Sequence, residues 1–299
     1  MELRYPLSHK FVNINDHVTI AVRALVILGV AYRAYSKKSL TTSGIVAAII
    51  TGIVHALPQS NLPLILLITF FITSSKATHY KEEQKGSKVK IPGGKTAAEQ
   101  SQRTYVQVLS NSFFSTALIL ASSFTDDYEL TTMAKAGIVT QYVAVIADTW
   151  SSEFGILSTE QPFLLTTFKK VPPGTNGGVT KLGLAAGLAG SALLSAIAAA
   201  FQKDRVIGHF FFFTIIGFMG TIIDSVMGTF MQATLVDTKD GKVLEPVGGC
   251  KVDQTTLWDN KDNLKVVTGE NVLSNNQVNL IMSFQCVMLG MGIYIYIFG

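Results

Sequence analysis

The sequence predicts an all-α fold, a polytopic transmembrane helical bundle of about eight spans, with seven as the alternative count. Three observations carry this expectation. Mean hydropathy is +0.37. Only 15% of the 299 residues are charged, against about 25% in a soluble domain. Those charges also sit in short stretches between long apolar runs. No disordered linker or low-complexity tract interrupts the pattern, so residues 1–299 read as a single integral membrane domain.

A helix needs about 20 apolar residues to cross about 30 Å of hydrocarbon. The candidates are His17–Tyr35, Thr42–Leu57, Leu62–Ser75, Thr104–Phe124, Leu130–Trp150, Gly178–Phe201, Ile207–Val236 and Val278–Phe298. The first carries Arg23 inside it and is the weakest. The second and third are short, and Pro58 and the polar stretch to Asn61 separate them, which suits a tight helical hairpin or a partly re-entrant pair. The polar start, Met1 to Asp16, lacks a signal's short hydrophobic region and cleavage site, so no cleavage is expected.

Orientation follows from the basic residues of the connections. One side holds two long loops, residues 76–103 and 237–275, with Lys76, Lys81, Lys85, Lys88, Lys90, Lys95, Arg103, Lys239, Lys242, Lys251, Lys261 and Lys265. Arg33, Lys37, Lys38, Lys169 and Lys170 join that side. The other keeps Arg4, Lys10, Lys203 and Arg205 with the acidic Asp126, Asp127 and Glu129. The basic side is expected to be cytosolic. The host membrane is expected to be the endoplasmic reticulum, since no other targeting signal is visible.

Several classes are excluded. The net charge of +4 is modest, and no basic face with interleaved aromatics appears, so nucleic-acid binding has no support. Cys250 and Cys286 make neither a disulfide framework nor a zinc site. The five histidines show no ligand spacing.

Four polar constellations remain, all on the basic side in an eight-span arrangement. The run Asp148–Gly155 ends the fifth span. If the helix continues, Thr149 shares a face with Glu153, and Asp148 with Ser152. Paired hard oxygen donors suit Mg²⁺ with bound phosphate; a solvated helix end is the plainer reading. The run Val171–Thr180 precedes the sixth span. Gly174, Gly177 and Gly178 let the backbone turn, and Thr175 or Asn176 can cap the helix, aiming free N–H groups at an anion. Lys169 and Lys170 stand beside it. A capped turn is the plainer reading here. In the seventh span Gly220, Asp224, Gly228 and Gln232 recur every four residues, with Ser225 beside the Asp. A carboxylate inside a membrane span is a functional candidate by default, with an interhelical strut as the alternative. In the fourth span Arg103, Gln107, Asn111 and Ser115 make a similar stripe, able to grip a phosphate or simply to snorkel and pack. Asn275, Asn279 and Ser283 form a lesser stripe in the last span. The glycines Gly183, Gly187 and Gly190 of the sixth span read as packing surface. The basic, glycine-containing run Lys90–Lys95 is a weak candidate for covering a nucleotide.

These runs resemble the integral membrane family of transmembrane protein 19 and plant phytyl-phosphate kinase, nearest the transmembrane protein 19 branch. The resemblance rests on Asp148–Gly155, Val171–Thr180 and Gly220–Gln232, and extends to Gln107–Asn111 and Asn275–Leu280. It implies an isoprenyl monophosphate kinase that uses a nucleoside triphosphate, CTP or another, and Mg²⁺. Asp148, Glu153 and Asp224 would hold the Mg²⁺. The Gly174–Gly178 turn with Lys169 or Lys170 would cradle the nucleotide phosphates. Arg103, Gln107 and Asn111 would grip the lipid phosphate, its tail in a groove between helices, and Ser225, Gln232 and Asn279 would complete the lining. The competing readings are a lipid-phosphate transporter or flippase, and a non-enzymatic membrane protein.

Overall fold

The computed structural model describes residues 11–90, 99, 101–252 and 263–299. Most of the Lys90–Lys95 run lies outside these residues. Eight long helices stand where the eight apolar runs were expected: α1 (His17–Ser36), α2 (Thr42–His55), α3 (Leu62–His79), α5 (Tyr105–Ser122), α6 (Tyr128–Gly155), α7 (Lys181–Ala200), α8 (Val206–Met231) and α9 (Asn275–Phe298). A short helix, α4 (Glu82–Gly86), follows α3. Six of the eight are long and apolar enough to cross a membrane. Of the other two, α2 has only 14 residues, and α5 carries serines and Asn111 along its bundle face.

The core is built on α6. Residues 136–147 of this helix are buried without interruption. The glycine stripe of α7 lies directly on it: a side chain at Gly183 would meet the Ser151 carbonyl, and one at Gly187 the Ala147 carbonyl. Helix α8 uses the same device, with Gly217 against the Val143 carbonyl and Gly220 against Ala144. Small residues let helix backbones approach within van der Waals contact where there is no water to drive association. The packing role expected for the α7 glycines holds.

Helix α1 is tied in by the residue that made it the weakest span. Arg23 reaches across to the α2–α3 turn. Its guanidinium donates to the carbonyls of Ala56 at 2.5 Å, Pro58 at 2.7 Å and Gln59 at 2.9 Å, and to Asn61 Oδ1 at 2.7 Å. A charge inside a membrane segment is tolerated when it pairs with backbone carbonyls, and these carbonyls are the ones a sharp helical hairpin leaves without partners.

The structure corrects the two loop-side boundaries. The seventh apolar run stops being helical at Met231, five residues before Val236. Thr234–Asp237 is instead strand β4 in a four-stranded sheet of order β1-β5-β4-β6, with β1 Val89–Lys90, β5 Val243–Leu244 and β6 Leu264–Thr268. Leu235 serves a small core with Leu244 and Val252, so the end of the apolar run never faces lipid. Strand β1 pairs in parallel with β5, which joins the two long loops into one layer. Lys90 forms an ion pair with Asp237 across that layer and holds its carboxyl below the usual carboxylate range. The sixth run starts its helix at Lys181; Gly178–Val179 is β3, paired with β2 (Phe163–Leu164) in a hairpin.

Two outcomes test this architecture. Arg23→Ala leaves several turn carbonyls unpaired and lowers the unfolding free energy by about 1–3 kcal/mol, read as reduced thermal stability in detergent. Single cysteines at Lys169 and Lys203, at opposite ends of α7, react with an impermeant thiol reagent from opposite sides of the membrane. Labelling of both from one side would show that α7 does not span.

Candidate functional site

One open polar cavity of about 410 Å³ sits at the loop-bearing end of the bundle. That is within the usual range for a small-molecule site. All four constellations meet in it. Asp148, Glu153, Gly174, Thr175, Asn176, Gly177, Gly178, Asp224, Ser225, Gln232, Arg103, Gln107, Asn111 and Asn279 all line its wall. Lys169 and Lys170 do not. They stand exposed on the β2–β3 hairpin, beyond the wall. Among the described residues, the lysines that face the cavity are Lys85 and Lys251.

The centre of the site is set by helix register. Gly220 of α8 packs on Ala144 of α6. One turn further along each helix come Asp224 and Asp148, and both line the cavity. With its amide nitrogen turned toward the pair, as the hydrogen-bond network requires, Asn279 of α9 donates to Asp224 Oδ2 at 3.1 Å. Among the described residues no Lys, Arg or His pairs with either aspartate.

Glu153 is placed differently. Its two oxygens are both engaged, Oε1 by Thr78 Oγ1 at 2.6 Å and Oε2 by Lys85 Nζ at 2.6 Å. Lys85 also donates to the carbonyls of Ala77 at 2.6 Å and Thr78 at 3.0 Å, so it closes the C-terminus of α3. Arg103 Nη2 donates to Thr78 Oγ1 at 3.1 Å, extending the same network. The expected trio of metal ligands is therefore two aspartates plus a separate ion-paired glutamate. Among the described residues, no group of three Asp, Glu, His or Cys side chains is gathered for a metal. Lys85 escapes sequence reading because its partner is 68 residues away and leaves no local pattern.

The arginine stripe splits. Arg103 is pinned through its backbone, its N–H donating to the Ser39 carbonyl and its carbonyl accepting from Thr41 N–H, both at 3.0 Å. Its guanidinium lies over the Phe70 ring, 6.0 Å from the centroid. Gln107 reaches back to accept from Thr104 N–H at 2.9 Å, which fixes the start of α5. Ser115 leaves the cavity and packs on α6, donating from its hydroxyl to the Ile138 carbonyl at 3.3 Å.

The glycine turn is also re-read. Thr180 caps α7, accepting from Gly183 N–H at 3.0 Å, so neither Thr175 nor Asn176 is the cap. Most of the turn's N–H groups are already used: Asn176 donates to Thr234 Oγ1 at 3.0 Å, Gly178 to the Thr175 carbonyl at 2.9 Å and Thr175 to the Pro172 carbonyl at 3.2 Å. It is a wall rather than a nest of free donors. Gly177, at φ 75°, has to be glycine, because a Cβ there would collide with Thr229 and the Ser225 carbonyl of α8. The turn thus holds α8 one turn past Asp224.

Comparison with known proteins gives the family of the chain. The family described as integral membrane protein DUF92 matches residues 25–287. Protein PGR of Arabidopsis thaliana is 31% identical over 289 residues, 90% of this chain and 94% of that one. An uncharacterised membrane protein of Methanocaldococcus jannaschii is 29% identical over 177 residues, 59% of this chain and 69% of its own. Protein VTE6, chloroplastic, of Arabidopsis thaliana is 28% identical over 165 residues, 53% of this chain and 46% of its own. No solved structure matches. With the matched stretch covering the helices and turns that build the cavity, the chain belongs to the integral membrane protein DUF92 family, as its resemblance to transmembrane protein 19 and that protein's relatives implied.

Proposed function

We propose that the chain is a membrane-bound kinase of isoprenyl monophosphates. The observation that carries this is the pair Asp148 and Asp224, each one turn past the Gly220–Ala144 contact and both lining one polar cavity, with no salt bridge to either among the described residues. Keeping two like charges together costs stability. The arrangement makes sense if a cation shared with a phosphate relieves the repulsion. Mg²⁺ is characteristically held by one or two carboxylates plus substrate phosphates, and needs no dedicated cage of protein ligands. The two aspartates fit that demand. When bound, the ion would neutralise charge on the nucleotide phosphates. The resemblance of the runs Asp148–Gly155, Val171–Thr180 and Gly220–Gln232 to plant phytyl-phosphate kinase suggests the reaction class.

In this reading the chain's own residues position two anions. Arg103 and Asn111 hold the lipid phosphate, and Lys251 supplies positive potential along the nucleotide's wall. An oxygen of the monophosphate attacks the terminal phosphorus of the nucleoside triphosphate. A new P–O–P linkage forms, the old one breaks, and the nucleoside diphosphate leaves with the bond pair. The acceptor oxygen is already anionic, so no general base is required, and positioning with charge neutralisation suffices. The basic loops around the cavity support a cytosolic active face, where nucleotides are available. The endoplasmic reticulum is the host membrane proposed.

The test is transfer of labelled phosphate from a nucleoside triphosphate to prenyl monophosphates by the purified protein with Mg²⁺. Asp148→Asn and Asp224→Asn each reduce kcat by about 100-fold or more while the melting temperature holds or rises, because the repulsion is relieved. No transfer with any pair, together with movement of the lipid across vesicles, would reject the kinase in favour of a transporter. Glu153→Gln does the reverse of the aspartate variants. It leaves the Lys85 ammonium without its counter-charge, so the melting temperature falls.

A further inference from the structure

A second, apolar cleft lies beside the polar cavity, enclosed by α1, α2, α3 and α5. The two share a wall: Arg103, Gln107 and Asn111 face both. We propose that this cleft seats the hydrocarbon tail of the lipid phosphate, and that Ile27 and Gly52 at its inner end set the length of tail it takes. The proposal rests on the kinase reading for the head group and extends it to the tail.

The occupant follows from continuity. A ligand whose phosphate lies at Arg103 and whose tail is apolar finds, at one point in the fold, a polar cavity on one side and an apolar cleft on the other. The cleft runs inward from that point. Thr41 is bonded to the Arg103 backbone, and Gly52 lies 11 residues further on along α2. At 1.5 Å per residue that is about 16 Å deeper. The sides are small or apolar there: Ala34 and Ala31 from α1, Ala48 from α2, Leu67 from α3. The outer wall is α1, of which only 11% is buried within the protein, so the cleft stands one helix away from the bilayer.

At its inner end the cleft is lined by Ile27, Gly52 and Leu64. A Cβ at Gly52 would sit 3.4 Å from Ile27 Cγ1 and Cγ2. That is ordinary contact, so alanine fits at position 52 without disturbing the helices, whereas leucine projects into the cleft. Conversely, trimming Ile27 to alanine deepens it. A pocket feels each methylene as about 1–3 kcal/mol, or roughly 10–200-fold in discrimination.

The experiment uses the full-length protein in detergent with geranyl, farnesyl and geranylgeranyl monophosphates. Binding is read as ligand-induced rise in melting temperature, and transfer is measured separately with nucleoside triphosphate and Mg²⁺. Gly52→Leu is expected to weaken geranylgeranyl monophosphate at least tenfold relative to geranyl monophosphate, with Gly52→Ala intermediate and Ile27→Ala shifting preference the other way. Val46→Leu, on the lipid-facing side of α2, leaves the series unchanged. Unaltered length preference in Gly52→Ala and Ile27→Ala, both folded, would overturn the proposal even if transfer occurs. Shifted binding without transfer by any nucleotide would leave the cleft standing and reject the kinase. A photoreactive prenyl monophosphate that labels α2 and α3 at the cleft supports the assignment. Labelling confined to outward-facing residues would mean an adventitious lipid only.

Discussion

Everything at the polar end of this bundle depends on how closely α7 and α8 approach α6. Gly183, Gly187, Gly217 and Gly220 each face a backbone atom or small side chain of α6 at a distance that admits no Cβ. With ordinary side chains at these positions the helices would separate, and Asp148 and Asp224 would move apart with them. Contact between glycine and backbone therefore fixes the spacing of two carboxylates a full turn away. The burial of α6 along residues 136–147 keeps that spacing from relaxing, since a packed interior has no free volume into which a helix can shift.

Charge is distributed in the site by two opposite rules. At Glu153, Lys85 and Arg103 the structure pairs and bonds the charged groups, and the network seals the end of α3 against the end of α6. At Asp148 and Asp224 it withholds neutralisation. A protein that merely needed to tolerate acids at a membrane boundary would use the first rule throughout. That contrast within a single cavity is what the proposed cation would account for. The layer formed by β1, β4, β5 and β6 stands over the cavity with residues from both long loops, so the ligand's surroundings are assembled from distant parts of the chain.

The helices and the surroundings of the aspartate pair are legible in the sequence because both leave periodic marks. Apolar runs of membrane length locate the spans, and the four-residue recurrence around Asp224 and along Arg103, Gln107 and Asn111 fixes which side chains share a face. What stays hidden has no period. The sheet is made of strands of two to five residues drawn from loops that lie far apart. Thr234, Leu235 and Val236 read as the tail of a span, yet pairing partners that no local window contains divert them into that sheet. The partner of Glu153 is hidden for the same reason: Lys85 lies 68 residues away in another loop. Lys169 and Lys170 mislead because adjacency in the chain to a glycine turn is not adjacency in space once a hairpin carries them outward.

The clamp between Arg23 and the α2–α3 turn has a bearing on how the protein is made. The acceptors lie 33 to 38 residues downstream of the arginine. During synthesis, α1 emerges with a charge that no part of the chain yet satisfies, and its place in the membrane becomes final only when the hairpin has formed beside it. The first of the described helices is secured only once the α2–α3 turn behind it has formed, and before the helix Tyr105–Ser122 that completes the apolar cleft.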